Sequence, residues 1–302
     1  MRAALVIVSG NLFVGWDVVG RRRLTEGPRT LTSMRVHVLQ LGYGDDEPLT
    51  ERVERAAALV SEQSGADLVV LPELWAPTGF GYRRWAEAAE LVDGPTVTAI
   101  GGAARRIGAY VHAGSIIEAA QDGADPGPEG RGRWNTSVLI GPDGLPMVRY
   151  RKVHRFGFAT GEPDLIEAGT ELVTVGLQTS AGPLTVGLAT CYDLRFPELF
   201  RGLTEAGAEL FVVPAAWPAA RVEHWRLLGR ARAVENQAVM IQCNTAGTHA
   251  GIRMGGYSQV VAATGEVLAE AGEDETVLVA DLDLAAVADY REKFPVLADR
   301  RL

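Results

Sequence analysis

The feature that most constrains this chain is a rhythm. From Arg35 onward, apolar runs of strand length alternate with amphipathic stretches of helix length. Strand signals fall on residues 36–41, 66–71, 110–117, 137–140, 148–153, 172–177, 184–190, 210–213, 239–244 and 276–282, and helix signals on 49–62, 97–107, 198–205 and 221–236. Asp143-Gly144 and Thr264-Gly265 sit between apolar runs, where hairpin turns belong. Such a pattern predicts long α/β layers with added hairpins. At 302 residues the chain can bury a large core, and length alone leaves one large domain or two ordinary ones open.

An internal echo bears on that choice. Ser64-Gly-Ala-Asp-Leu-Val-Val-Leu-Pro-Glu-Leu-Trp75 resembles Ala206-Gly-Ala-Glu-Leu-Phe-Val-Val-Pro-Ala-Ala-Trp217, with Gly, Ala, Leu, Val, Pro and Trp recurring in register. The echo suggests two related halves within one pseudo-symmetric domain; chance similarity of two buried α/β strands is the alternative. Where the first copy carries Glu73, the second carries Ala215. A shared scaffold without a shared carboxylate is expected if Glu73 serves function.

The first 33 residues do not share the rhythm, so residues 34–302 are read as the folded domain and 1–33 as an N-terminal extension in which disorder is an open reading. It is either a mobile arm or an upstream extension of a chain that truly starts at Met34. Its apolar part is interrupted by Ser9, Gly10, Asn11 and Asp17, and the basic Arg21, Arg22 and Arg23 follow that part instead of preceding it, unlike a secretory signal. No later segment approaches the roughly 18 apolar residues of a membrane span. With only Cys191 and Cys243 present, a disulfide framework is not what holds the fold together. These features predict a cytoplasmic protein. A formal charge of -9 argues against a nucleic-acid partner, which needs clustered Lys and Arg.

Three positions carry candidate chemistry. Cys191 closes an apolar strand just before a helix signal, a turn that exposes a side chain and aims backbone N–H groups at it. Taken alone it reads equally well as a structural thiol. Cys243, inside an apolar run, reads as a core thiol. Glu73 ends the strand after Leu68, at the sheet edge where α/β proteins place ligands; a helix-capping or surface acid is the plainer reading. Lys152 belongs to Arg149-Tyr-Arg-Lys-Val-His-Arg155, where Tyr150, Lys152 and His154 share one face of an alternating strand. A solvated edge strand accounts for Arg149 and Arg151 but less readily for an inward lysine. The five histidines, His37, His112, His154, His224 and His249, form no ligand pair at helical or hairpin spacing, and no phosphate loop or dinucleotide fingerprint occurs. No metal or cofactor is implied. Asn135-Thr-Ser137 is a formal glycosylation acceptor without weight in a protein that is not exported.

Together, Leu71-Pro-Glu-Leu-Trp75, Tyr150-Arg-Lys-Val-His154 and Thr190-Cys-Tyr-Asp-Leu-Arg-Phe-Pro-Glu198 resemble the nitrilase, or carbon-nitrogen hydrolase, superfamily. The resemblance runs from about Met34 to the C-terminus and includes Gly114-Ser-Ile-Ile-Glu118, Arg230-Ala-Arg-Ala-Val-Glu-Asn236 and Gly255-Gly-Tyr-Ser258. It implies a four-layer αββα sandwich, usually paired through helices into a homodimer. The family's glutamate, lysine and cysteine fall on Glu73, Lys152 and Cys191, and its additional glutamate on Glu162, with Glu167 as the other choice.

The resemblance also implies the chemistry. Lys152 beside Cys191 is expected to favour the thiolate, Glu73 to act as base and acid, and Lys152 with the Tyr192 N–H to hold the oxyanion. True nitrilases typically carry Trp-Glu after the nucleophile; Tyr192-Asp193 is more similar to the Nit-type and omega-amidase branch, in which an arginine matching Arg195 binds a distal carboxylate. Pairing of Arg195 with Asp193 or Glu198 is the alternative. The expected reaction is hydrolysis of short omega-amides of dicarboxylic acids through a cysteine thioester, releasing ammonia. A nitrilase, an N-carbamoyl-amide hydrolase, an acyltransferase and a non-catalytic binding module are the other readings.

Overall fold

The structure, a computed structural model, describes residues 13–16, 22–25, 33–158 and 160–301. Two six-stranded sheets carry the architecture. The first contains β1 (Ser33–Gln40), β2 (Leu68–Val70), β3 (Tyr110–Ala119), β4 (Arg133–Ile140) and β5 (Pro146–Arg151). The second contains β6 (Val173–Thr179), β7 (Gly182–Leu188), β8 (Leu210–Pro214), β9 (Val239–Cys243), β10 (Gln259–Val261) and β11 (Val267–Glu270). The chain then returns to the edge of the first sheet as β12 (Thr276–Asp283), paired with β1.

The strand orders are β12-β1-β2-β3-β4-β5 and β6-β7-β8-β9-β10-β11. Across either sheet the neighbouring pairs run antiparallel, parallel, parallel, antiparallel, antiparallel. The echoed segments supply β2 and β8, which therefore hold the same third place. That correspondence favours related halves over chance similarity.

Alternation along the strands explains the layers. Met34, Val36 and Val38 of β1 and Leu68 and Val70 of β2 meet Val186, Leu188, Leu210 and Val212 from the opposite sheet in one core. On the outer face, Leu39 and Val69 pack under α1 (Leu49–Ser61) and α2 (Pro95–Ile107). The second sheet is covered by α3 (Pro197–Glu205) and α4 (Val222–Asn236), with Phe200 edge-on to Phe211 at 5.2 Å. The result is the expected αββα sandwich. Cys243 is a fully buried core thiol that bridges the sheets, its Sγ 3.4 Å from both the Leu39 and Val70 carbonyls.

Every expected strand and helix is present, with ends shifted by a few residues. β10 and β11 flank the hairpin turn expected at Thr264-Gly265, although neither carried a strand signal of its own, and a last helix, α5 (Ala285–Lys293), was not expected. Their signals are weak for a physical reason: β10 has only 3 residues, and α5 buries Val287 alone. The basic segment also differs from expectation, because β5 stops at Arg151 and Lys152 lies just beyond it. Arg149 and Arg151 are not merely solvated; both pair at 2.8 Å with the buried Glu118. The expectation for residues 1–33 falls, apart from Ser33 and an antiparallel pair of strands, Phe13–Trp16 and Arg22–Thr25, outside the described residues. Among the described residues no helix is long and apolar enough to cross a membrane.

Candidate active site

The two echoed strands end side by side, and the candidate chemistry collects there. Glu73 follows β2 in a turn whose next residue, Leu74, has φ +43° and donates its N–H to Ser115 Oγ at 3.1 Å. The turn is tight enough to require Gly114 on β3: a Cβ there, at φ +71°, would stand 1.8 Å from the Pro72 carbonyl oxygen. Glu73 is thereby pressed inward, 3% exposed.

Cys191 begins a 3₁₀ turn, Cys191–Arg195, directly after β7 and the linking Ala189 and Thr190. Its φ of +48° is strained for a residue with a side chain, and the surroundings impose it. Thr190 and Asp193 form a reciprocal capping box; Asp193 also accepts from the Tyr150 hydroxyl at 2.7 Å and the His154 N–H at 2.9 Å. Arg232 of α4 donates to the Leu194 carbonyl at 3.1 Å, which ties the Arg230–Asn236 motif to the cysteine turn. Asp193 is thus part of the elbow's frame.

Between the two elbows lies a buried chain of charges. Lys152 Nζ is 2.8 Å from Glu73 Oε1 and 2.9 Å from Glu162 Oε1, and all three side chains are nearly inaccessible. Glu162 is fixed from its other oxygen by the Phe156 N–H at 2.5 Å. This separates the two candidates for the second glutamate: Glu162 is brought to the lysine, whereas Glu167 accepts from the Arg131 and Glu129 N–H groups elsewhere. Glu73 keeps its second oxygen on the Ala216 N–H at 2.9 Å.

A further side chain joins these three. Asn135 Nδ2 donates to Glu73 Oε1 at 2.8 Å and to Glu162 Oε1 at 3.0 Å, so it ties the two carboxylates together. In the sequence it stands only in an apparent glycosylation acceptor, Asn135-Thr-Ser137. Its place on β4, beside the strand leading to Lys152, was the available signal.

The electrostatics revise one expectation. Burial pushes the Cys191 thiol well above its ordinary range, Glu73 adds to that push by its charge and its hydrogen bond with the thiol, and Lys152 only partly opposes them. The lysine does not produce a resting thiolate. Burial works against the Lys152 charge as well, but Glu162 and Glu73 outweigh it and hold the ammonium firmly protonated. Glu162 is raised, first by burial and then by Glu73 against the opposing pull of Lys152. A neutral thiol beside an acceptor carboxylate is poised for proton transfer during attack instead of before it.

Cys191, Glu73, Lys152 and Glu162 form the floor of a cleft whose rim includes Phe80, Phe156, Tyr192, Arg195, Trp217 and Arg221. The Tyr192 ring packs edge-on to Phe156 at 5.3 Å. Asn244, held by the Gly256 carbonyl and the Ser258 hydroxyl, fixes the Trp217 N–H at 2.7 Å and so shapes this wall. Arg195 does not pair with Asp193 or Glu198. It lies over the Trp217 ring at 4.7 Å and contacts His224 Nδ1 at 3.4 Å. Among the described residues no group of three or more His, Cys, Asp or Glu side chains is arranged to hold a metal.

An αββα sandwich that closes a thiol, two carboxylates and a lysine into one cleft defines a hydrolase class with a cysteine at its centre. The chain belongs to the carbon-nitrogen hydrolase family, whose profile matches residues 35–292, and it hydrolyses amide C–N bonds. It is 44% identical over 266 residues to a 2-oxoglutaramate amidase of Paenarthrobacter nicotinovorans, covering 88% of this chain and 89% of that protein. It is 35% identical to omega-amidase NIT2 of Xenopus tropicalis over 83% of this chain and 90% of that one. Among solved structures, XC1258 of Xanthomonas campestris, a CN-hydrolase superfamily protein with an arsenic adduct in the active site, superposes with a TM-score of 0.78 at 29% identity, covering 89% and 98% of the two chains.

Proposed function

We propose that the enzyme hydrolyses short omega-amides that carry a distal carboxylate, with Cys191 as nucleophile, Glu73 as base and acid, Lys152 as oxyanion partner and Glu162 as the group that fixes Lys152. The observation that carries the substrate class is Arg195: it shares the cleft with Cys191 and, among the described residues, is paired with no carboxylate. A guanidinium without an internal counter-ion suits an incoming carboxylate.

In the attack step the Cys191 sulfur bonds to the amide carbon while Glu73 takes the thiol proton. The carbonyl oxygen becomes negative against Lys152 and the Tyr192 N–H, a stabilisation of about 3–4 kcal/mol for each well-placed donor. Glu73 returns the proton to the departing nitrogen, the C–N bond breaks, and ammonia leaves a thioester. Water, deprotonated by Glu73, then attacks the thioester carbon; the carboxylic acid leaves and the thiol recovers its proton.

Comparison of kcat/KM for glutaramate and its uncharged counterpart butyramide tests this reading. Glutaramate should be favoured by about tenfold or more, and Arg195→Gln should remove that preference mainly through KM. Equal rates for the two amides, or a higher rate with a nitrile or an N-carbamoyl amino acid, would overturn it. Added amines test for transfer of the acyl group in place of hydrolysis. The same reading takes residues 34–302 as the catalytic domain and residues 1–33 as an appendage, except that Ser33 opens β1, supported by a family match that begins at residue 35; removal of 1–32 should leave kcat/KM unchanged. It includes a cytoplasmic homodimer paired through α4, whose Leu227 and Val234 are 66% and 46% exposed, with sedimentation of Leu227→Glu as the check.

A further inference from the structure

Arg195 is not the only guanidinium at the mouth of the cleft. Arg221, the residue just before α4, lines the same cleft with its guanidinium 5.6 Å from the Phe156 ring centre. Among the described residues neither arginine is paired with a carboxylate. Both arginines line one cleft, and Arg195 is held below the ordinary arginine range first by burial and next by the charge of Arg221. Two like charges at a part-buried rim are unfavourable unless an anion joins them. Aromatic faces, Trp217 for Arg195 and Phe156 for Arg221, support both groups, and among the described residues the terminal nitrogens of Arg195 are otherwise engaged only by the neutral acceptor His224 Nδ1, each at 3.4 Å.

We infer that Arg221 is a specificity residue that reads the α-carbon of the substrate. The inference rests on the reading of Arg195 as the carboxylate partner. With the carboxylate on Arg195, the neighbouring α-carbon faces the part of the cleft that Arg221 also lines. A methylene is tolerated there and an oxo group supplies an acceptor to Arg221, but an α-ammonium meets a second positive charge. The enzyme therefore selects omega-amides of 2-oxo or unsubstituted acids and rejects those of α-amino acids, although the scissile amide is identical.

The test measures kcat/KM for glutaramate, 2-oxoglutaramate and glutamine with the wild-type enzyme, Arg221→Gln and Arg221→Lys. In Arg221→Gln the ratio of glutaramate to glutamine should fall by about tenfold or more, the 2-oxoglutaramate loss should appear mainly in KM, and Arg221→Lys should keep most of the discrimination. The Arg221 carbonyl that accepts from Trp217 Nε1 at 2.8 Å remains after any side-chain replacement. Arg221→Met, which keeps the stem over Phe156, repeats the test if thermal melting shows the glutamine variant to be poorly folded. An unchanged glutaramate-to-glutamine ratio in a folded Arg221 variant overturns the role of Arg221 while leaving the proposed function intact. Loss of the glutaramate preference over butyramide in the wild-type enzyme defeats the proposed function itself.

Discussion

Glu73 Oε2 accepts the Ala216 N–H at 2.9 Å, so the carboxylate from one half of the fold is held by the backbone next to Ala215, its own counterpart in the other half. The pseudo-symmetry thus acts on the chemistry. One sheet edge supplies the acid and the other, with its alanine, leaves room and a donor for it. Because the bond fixes one oxygen, the other remains directed at Lys152.

Glu73→Gln keeps the shape but removes the charge. Turnover should fall by about a hundredfold to ten-thousandfold, the range for loss of a general base. The same change should lower the Cys191 pKa, because the negative carboxylate is one of the causes that raise it. Alkylation of the thiol by iodoacetamide as a function of pH reads this directly. A variant whose thiol reacts at lower pH while turnover collapses separates thiol acidity from catalysis; an upward shift would contradict the electrostatic argument.

Asn135→Ala removes a donor shared by two buried carboxylates. Losing this hydrogen bond to its ionised form should raise Glu162, already raised by burial, further, so the acid limb of kcat/KM should move to higher pH. The rate at the optimum should fall by about ten- to a hundredfold, with KM changed less, since Asn135 positions the acids and does not line the cleft. A pH profile that keeps its shape would reduce Asn135 to a packing role.

The sequence made the sheets legible because period-two alternation and buried runs such as Leu68–Val70 leave a strong local signal. Cys191, Glu73 and Lys152 were each ambiguous alone and became legible as an ordered set. Asn135 and Arg221 were not, since their meaning depends on the folded arrangement: Asn135 donates to Glu73, distant in the chain, and Arg221 lines the same cleft as Arg195. The direction of the Cys191 pKa was misread for a related reason. A lysine beside a thiol suggests a thiolate, but burial and a neighbouring carboxylate are three-dimensional quantities.

Two buried histidines set the acid limit of stability. Burial pulls His112 down to about 3 and, with help from Arg52, His249 to about 4, against an ordinary value of 6.5. Below pH 6.5 the unfolded chain gains protons that the native imidazoles refuse, so stability is full above that pH and is lost as pH falls towards 3–4. Each contributes a slope of about 1.4 kcal/mol per pH unit. Urea unfolding between pH 7 and 5 should show this loss, and His112→Asn should show a shallower slope even if its stability at pH 7 is lower. An unchanged slope would place the acid sensitivity elsewhere.

Gly114→Ala tests whether the glutamate elbow depends on the strand beside it. The new methyl cannot occupy its position 1.8 Å from the Pro72 oxygen, and φ +71° adds strain, so either β3 or the Pro72–Leu74 turn must move. Gly114 lies in a bulge of β3, past its last pair with β2 at His112 and between the His112 and Ser115 pairs with β4. Because Leu74 N–H bonds to Ser115 Oγ, next to the bulge, a shift of either partner carries to Glu73. A shift of about 1 Å at Glu73 is enough to cost about a hundredfold in turnover, whereas the fold should lose about 1–3 kcal/mol. Ammonia release and urea unfolding of the same preparation give both numbers, and a variant with near-normal turnover would show that Glu73 is held without the help of this glycine.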